Sequence, residues 1–290
     1  MANVRAIRTR IRSVESTRKI TKSMKMVAAA KLKRTQQTMN ALRPYAEAAR
    51  EMLARVSTNP AARENPFLRK RETERVLYVL FVGNRGLCGV YNTALVKFAE
   101  ACLERESRKA SVLVCGRWGR DLLAASPLPI IGTLEDLPDA PDAEEAGRLA
   151  GTLKERYLSG QADEIILLYE RYVSALRQEP CAKKLLPLEA PCGDTEEKQL
   201  IFEPDGKSLI DNLVELYLDN TVRAVVLEAK TGEHSARMTA MTAASDNTEQ
   251  LLAKLNLELN HARQSAITTE ISEIVGGANA LQSSEEGKRG

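Results

Sequence analysis

The sequence predicts an α+β protein: a long antiparallel coiled coil of N- and C-terminal helices, with a small Rossmann-like α/β domain inserted between them. Three observations carry this expectation. Helix breakers crowd toward the middle, the first glycine being Gly83 and every proline lying between Pro44 and Pro204. Apolar residues near the N-terminus recur at heptad spacing. Short β-branched runs alternate with helical stretches only in the centre.

In the first segment, residues 1–56, a heptad template falls on Val4, Ile7, Ile11, Val14, Arg18, Thr21, Lys25 and Ala28. It continues through Leu32, Thr35, Met39, Leu42, Ala46, Ala49, Leu53 and Val56. Most of these positions are apolar, with the polar exceptions grouped mainly at Arg18 to Lys25, so one seam runs down a single helix. At a rise of 1.5 Å per residue it would extend roughly 80 Å. Pro44 should kink it or end its regular part, because proline removes a backbone donor and crowds the preceding turn. The segment carries 14 Lys and Arg against 3 Glu, which makes it a basic rod in need of acidic company.

The middle segment, residues 57–206, reads as strands at 76–82, 111–115 and 164–169 alternating with helices at 92–105, 117–124 and 143–158. An edge strand is expected at 182–188 and a polar loop at 189–198. The last segment, residues 207–281, is free of proline and repeats Leu209, Leu213, Leu216, Val222, Val225, Val226 and Ala229 at helical spacing. Such a helix, roughly 110 Å long, is more than a small domain can cover, so something else must surround it. Residues 235–245 and 26–30 are both built of small side chains, which suits a close approach of the two helices. Residues 282–290 (QSSEEGKRG) are polar enough to predict a disordered tail.

The first ten residues hold arginines but no apolar stretch follows, and the run at 76–82 is too short to span a bilayer, which predicts a soluble, cytosolic chain. Cys88, Cys102, Cys115, Cys181 and Cys192 are odd in number and lack C-x-x-C spacing, so reduced thiols are expected. The most enzyme-like feature is Gly83-Asn84-Arg85-Gly86-Leu87-Cys88-Gly89, placed between a strand and a helix as a dinucleotide loop would be. Its spacing is G-x-x-G-x-x-G, and no acidic residue ends the next strand, so it reads as a structural turn. His234 and His261 lie too far apart on one helix to share a metal and read as surface residues. Cys88, beside Arg85 and a helix N-terminus, has a setting that could lower its pKa, but no histidine is close in sequence to activate it. No catalytic, cofactor or metal site assembles. Nucleic acid is the competing partner for the basic helix, yet phosphate binding would require neither a second apolar seam nor a rod extending beyond the charge. An acidic protein surface fits better.

Several stretches together resemble one family. Residues 7–30 (IRTRIRSVESTRKITKSMKMVAAA), Arg43-Pro44-Tyr45, RGLCG at 85–89, ARMTAMTAASDN at 236–247 and NHARQSAITTEISEIVGGANAL at 260–281 are similar to the γ subunit of F-type ATP synthase. The resemblance implies a non-catalytic central rotor shaft. Its coiled coil would turn inside an α3β3 hexamer, and its foot would stand on the membrane ring of c subunits beside the ε subunit, peripheral to the cytoplasmic face of a bacterial plasma membrane. It further implies that Lys22, Met24, Lys25 and Arg237 meet an acidic lever loop of β. Arg263, Gln264, Thr268 and Glu270 would meet an upper catch loop of β, residues 271–281 would turn in an apolar sleeve, and Phe202 and Glu203 would touch the c ring.

Overall fold

The computed structural model describes residues 2–57, 60–69, 71–118, 129–135, 137–189 and 206–286, without the side chains of residues 2, 3, 61 and 278–286. Two helices frame the chain, α1 over Ala2–Val56 and α4 over Gly206–Glu286. Between them lie β1 (Arg75–Phe81), α2 (Tyr91–Glu104), β2 (Lys109–Cys115), β3 (Ile130–Leu134), α3 (Ala143–Leu158), β4 (Glu164–Ser174) and β5 (Arg177–Leu186). Contacts divide the chain into two compact units. The first is Met1–Lys25 with Met241–Gly290 and the second is Met26–Ala240, so the division falls inside both long helices.

All sixteen heptad positions of α1 are buried or half-buried. The polar exceptions have physical reasons. Thr21 and Thr35 donate their hydroxyls to the carbonyls of Arg18 and Leu32 one turn back, at 3.1 and 3.0 Å, and so bury no unsatisfied group. Arg18 and Lys25 are half-buried, as expected of side chains whose stems line a seam while their charges reach water. Pro44 does not end the helix: α1 is continuous through it. Proline forfeits one backbone bond, and Leu42, Ala49 and Leu53, all buried, hold the segment on either side.

The second unit is built on a five-stranded sheet in the order β3-β2-β1-β4-β5, parallel except for the β4–β5 hairpin. Alternation along β1 sends Leu77, Val79 and Phe81 to one face and Val76, Tyr78 and Leu80 to the other. The first face packs against α3 through Leu149, Leu153 and Tyr157, and against the start of α4 and the end of α1 through Val214, Val225 and Leu53. The second is covered by α2, chiefly Tyr91, Leu95 and Ala99. Asp142 and Glu145 close a reciprocal capping box at the N-terminus of α3, with bonds of 2.8 and 3.0 Å.

Several expectations need correction. β3 was not foreseen: its five residues contain Gly132 and lie at the sheet edge, four of them half-buried and Ile131 exposed, leaving little period-two signal. The edge strand expected at 182–188 begins earlier, at Arg177, and β4 runs on to Ser174 because the two pair as a long hairpin. Leu216 is 41% exposed, its expected inward place being taken by Val214. Helix α4 continues to Glu286, five residues past the expected end. Residues 282–286 contain neither Gly nor Pro, so an existing helix propagates through them at little cost. Of the helix expected at 117–124 only the first two residues are described, and the loop at 190–198 lies outside the described residues, as do Phe202 and Glu203. No described helix is long and apolar enough to cross a membrane.

Candidate functional site

In the first unit α4 presents Met241, Ser245, Thr248, Leu252, Leu255, Leu259, Ala262 and Ala266 as buried or half-buried positions, spaced alternately three and four apart. This is the counterpart of the seam at Val4 to Lys25 on α1. Helix α1 leaves this unit at Lys25 and α4 enters it at Met241, so the two run in opposite directions. Lys22 is exposed beside the seam, with Met24 and Lys25 half-buried. Arg263, Gln264, Thr268 and Glu270 are all exposed, and the Thr268 hydroxyl bonds back to the Gln264 carbonyl at 3.0 Å. Beyond Ala266 the seam stops. Every residue from 267 to 277 is exposed, including Ile267, Ile271, Ile274 and Val275 at 46 to 67%. His261 is exposed, as the sequence suggested.

The second unit contains an ionic cluster that sequence reasoning missed. Lys230 and Glu233 on α4 are each 4% exposed and paired at 3.0 Å, and Arg237 adds a bond of 2.6 Å to the same carboxylate. Burial alone would raise the Glu233 carboxyl, but Lys230 and Arg237 outweigh it and hold it below its ordinary value. Arg237 also donates to the carbonyls of Arg85 and Gly86 at 3.1 and 3.5 Å, so its guanidinium is engaged inside this unit and not presented freely to a partner. His234 is a correction: expected on the surface, it is 2% exposed. Its Nε2 lies 3.0 Å from Asp139 Oδ1, near enough for a direct polar contact though not aligned for a hydrogen bond. Lys31 of α1 meets the other oxygen of Asp139 at 2.6 Å. The His234 ring, aided by Lys31 and opposed by burial, holds Asp139 well below the usual carboxylate range.

The glycine-rich segment packs against this cluster. The Gly83 N–H, which a bound phosphate would need, already donates to Asn92 Oδ1 at 2.8 Å. A Cβ on Gly83 would meet the Glu233 carboxyl carbon at 3.0 Å, so a carboxylate stands where a phosphate would have to lie. The segment is a structural turn: Gly89 takes φ 62° and Leu87 φ 61°, and the Tyr91 hydroxyl anchors the following helix to the Ala229 carbonyl at 2.9 Å. Cys88 is buried against Asn92, and burial pushes its thiol up instead of activating it. Cys88, Cys102, Cys115 and Cys181 are free thiols, while Cys192 lies outside the described residues. Among the described residues no three His, Cys, Asp or Glu side chains cluster as metal ligands.

The cluster did leave a trace in the sequence. Lys230, Glu233 and Arg237 stand at i, i+3 and i+7 among Ala229, Thr231, Gly232 and Ala236, a charged row on an otherwise small-residue helix. Asp139 left none, because its partners lie 108 and 95 positions away.

Comparison with known proteins completes the picture. A family described as ATP synthase matches residues 3–281. The chain is 42% identical over 282 residues to the ATP synthase gamma chain of Desulfitobacterium hafniense, covering 97% of this chain and 100% of that one. It is 41% identical, with the same coverage, to the gamma chain of Moorella thermoacetica. A chain in the Euglena gracilis mitochondrial ATP synthase structure with OSCP, F1 and c-ring shares the fold, with 21% identity, a TM-score of 0.70 and coverage of 98% of this chain and 96% of that one.

Proposed function

The chain belongs to the ATP synthase gamma-chain family, and from that membership we propose that it is the central rotor shaft of an F-type ATP synthase. It is a non-catalytic subunit, part of the peripheral F1 portion of a membrane enzyme. Its task is to carry torque between a c ring and an α3β3 hexamer, in synthesis driven by an ion gradient or in hydrolysis-driven pumping. The observation that carries the reading is the bare end of α4. Eleven consecutive helical residues are exposed on every side, with four large aliphatic side chains among them, and such a surface calls for an enclosing apolar partner.

The same reading assigns contacts. Lys22, Met24 and Lys25 face an acidic lever loop of β, and Arg263, Gln264, Thr268 and Glu270 face its catch loop. Arg237 contributes by holding the loop at Arg85 and Gly86 in place. Phe202 and Glu203 meet the c ring, with an ε subunit alongside, on the cytoplasmic face of a bacterial membrane. Exposed ion pairs worth on the order of 1 kcal/mol or less suit contacts that must form and release at every turn.

ATPase activity of the purified chain, alone and mixed with α and β subunits of the same organism, tests the proposal. A silent chain that assembles with them and raises continuous turnover supports it. Hydrolysis by the chain alone, or salt-sensitive DNA binding without assembly, would overturn it.

A further inference from the structure

We propose that Asp139 is a positioning residue for torque transmission, keying the stretches of α1 and α4 inside the second unit to the segment after β3 so that neither rolls within that unit. The inference rests on the rotor reading and deepens it. Its two carboxylate oxygens are divided between the helices: Oδ2 takes Lys31 Nζ of α1 at 2.6 Å, and Oδ1 lies 3.0 Å from His234 Nε2 of α4.

The chemistry beyond His234 gives the contact a direction. A guanidinium has only donors, so the Arg237 Nη1 that stands 3.3 Å from His234 Nδ1 requires that nitrogen to accept. The ring proton is then on Nε2, facing Asp139. A single polar chain therefore runs from Lys31 through Asp139, His234 and Arg237 to the carbonyls of Arg85 and Gly86. It joins α1, the segment after β3, α4 and the segment after β1. Apolar packing is non-directional, so a helix held by it alone can roll about its axis without losing much buried area. Polar contacts of fixed geometry resist that roll. His234 is more than nine-tenths buried, so the α4 end of this path is shielded from water, while Lys31 and Asp139 at its other end remain 46% and 38% exposed.

The experiment uses the complete chain assembled with α and β subunits, the hexamer fixed to a surface and a bead on the second unit. Angular fluctuation is recorded during catalytic pauses for the parent and for Asp139→Asn, Asp139→Glu, Lys31→Ala and His234→Gln. If keyed contacts and apolar packing share the resistance equally, Asp139→Asn widens the angular variance roughly two-fold. Lys31→Ala, at an exposed helical position that alanine tolerates, widens it as well, and adds little when combined with Asp139→Asn. Asp139→Glu, which keeps the charge, restores most of the stiffness. Melting temperature is measured on each variant, so that a fold defect is not read as a loss of stiffness. Parental variance in folded Asp139→Asn and Lys31→Ala complexes would overturn the key while leaving the rotor reading intact. A parent chain that fails to assemble or to rotate would instead overturn the rotor reading itself.

Discussion

Glu170 on β4 is 5% exposed, and among the described residues no donor is bonded to its carboxylate. Burial pushes its carboxyl up to about 7 from 4.5. The folded protein then holds a proton between these two values that the unfolded chain has released, so stability falls as pH rises through this window and stays low above it. A displacement of that size corresponds to about 3 kcal/mol. Replacing Glu170 with glutamine keeps the shape and removes the titration. The stability advantage of Glu170→Gln over the parent should therefore grow by about 3 kcal/mol between pH 4 and pH 8. For a unit of this size that is roughly 6 to 12 °C in melting temperature. Urea unfolding followed by circular dichroism across that range measures the difference directly. An advantage that does not change with pH would refute the reasoning, since a variant that merely packs better or worse shifts the curve without bending it.

Other perturbations separate buried from exposed groups. Glu233→Ala leaves Lys230 and Arg237 without their anion and should cost about 3 to 5 kcal/mol by denaturant titration, whereas replacing Lys230, Glu233 and Arg237 together by apolar side chains of similar volume should cost far less. Leu53→Ala, at a fully buried position where α1 enters the core, should cost about 2 to 5 kcal/mol, against no more than about 0.5 for Leu216→Ala at its 41% exposed site. Glu106 pairs with Arg108 at 2.7 Å, and Arg108, against the opposing effect of burial, holds its carboxyl down to about 2. Its folded value is depressed, so its contribution is complete above about 4.5 and lost as pH falls toward 2; Glu106→Gln should flatten that part of the acid unfolding curve.

What the sequence disclosed follows from how far each signal reaches along the chain. The seam of α1 was legible at every position because heptad spacing is local, and Thr21 and Thr35 could stay in it because their hydroxyls are satisfied one turn back. The central strands were legible for the same reason, each being a run buried on both faces. β3 was not, because a five-residue edge strand interrupted by Gly132, with four residues half-buried, is too short to show alternation. The cluster was harder still. His234 looked like a surface residue because nothing local tells a buried histidine from an exposed one, and its partner Asp139 is brought to it only by the fold. The contacts of Arg237 were hidden for the same reason: the carbonyls it binds belong to residues 85 and 86.

The surroundings of α4 change along its length in a way that bears on its use. From Asn220 to Ser235 nearly every residue is buried, polar ones included, so the helix is encased and opening it means unfolding the second unit. From Ser245 to Ala266 only one residue in three or four is covered, the single seam a two-helix coil can provide. From residue 267 to 277 no described residue of the same chain covers the side chains. A short bare helix frays at little cost, because nucleation has already been met further down and each terminal residue is held by about one hydrogen bond. Stiffness is thus greatest where α4 is anchored and least where it ends, the reverse of what a lever working freely in water would need. The arrangement becomes sensible once the bare end is enclosed, since an enclosing partner supplies the missing apolar contacts and turns the least supported segment into the one held from outside. The anchored stretch then has to resist rotation about the helix axis, and that is where the fold has placed Glu233, His234 and Arg237.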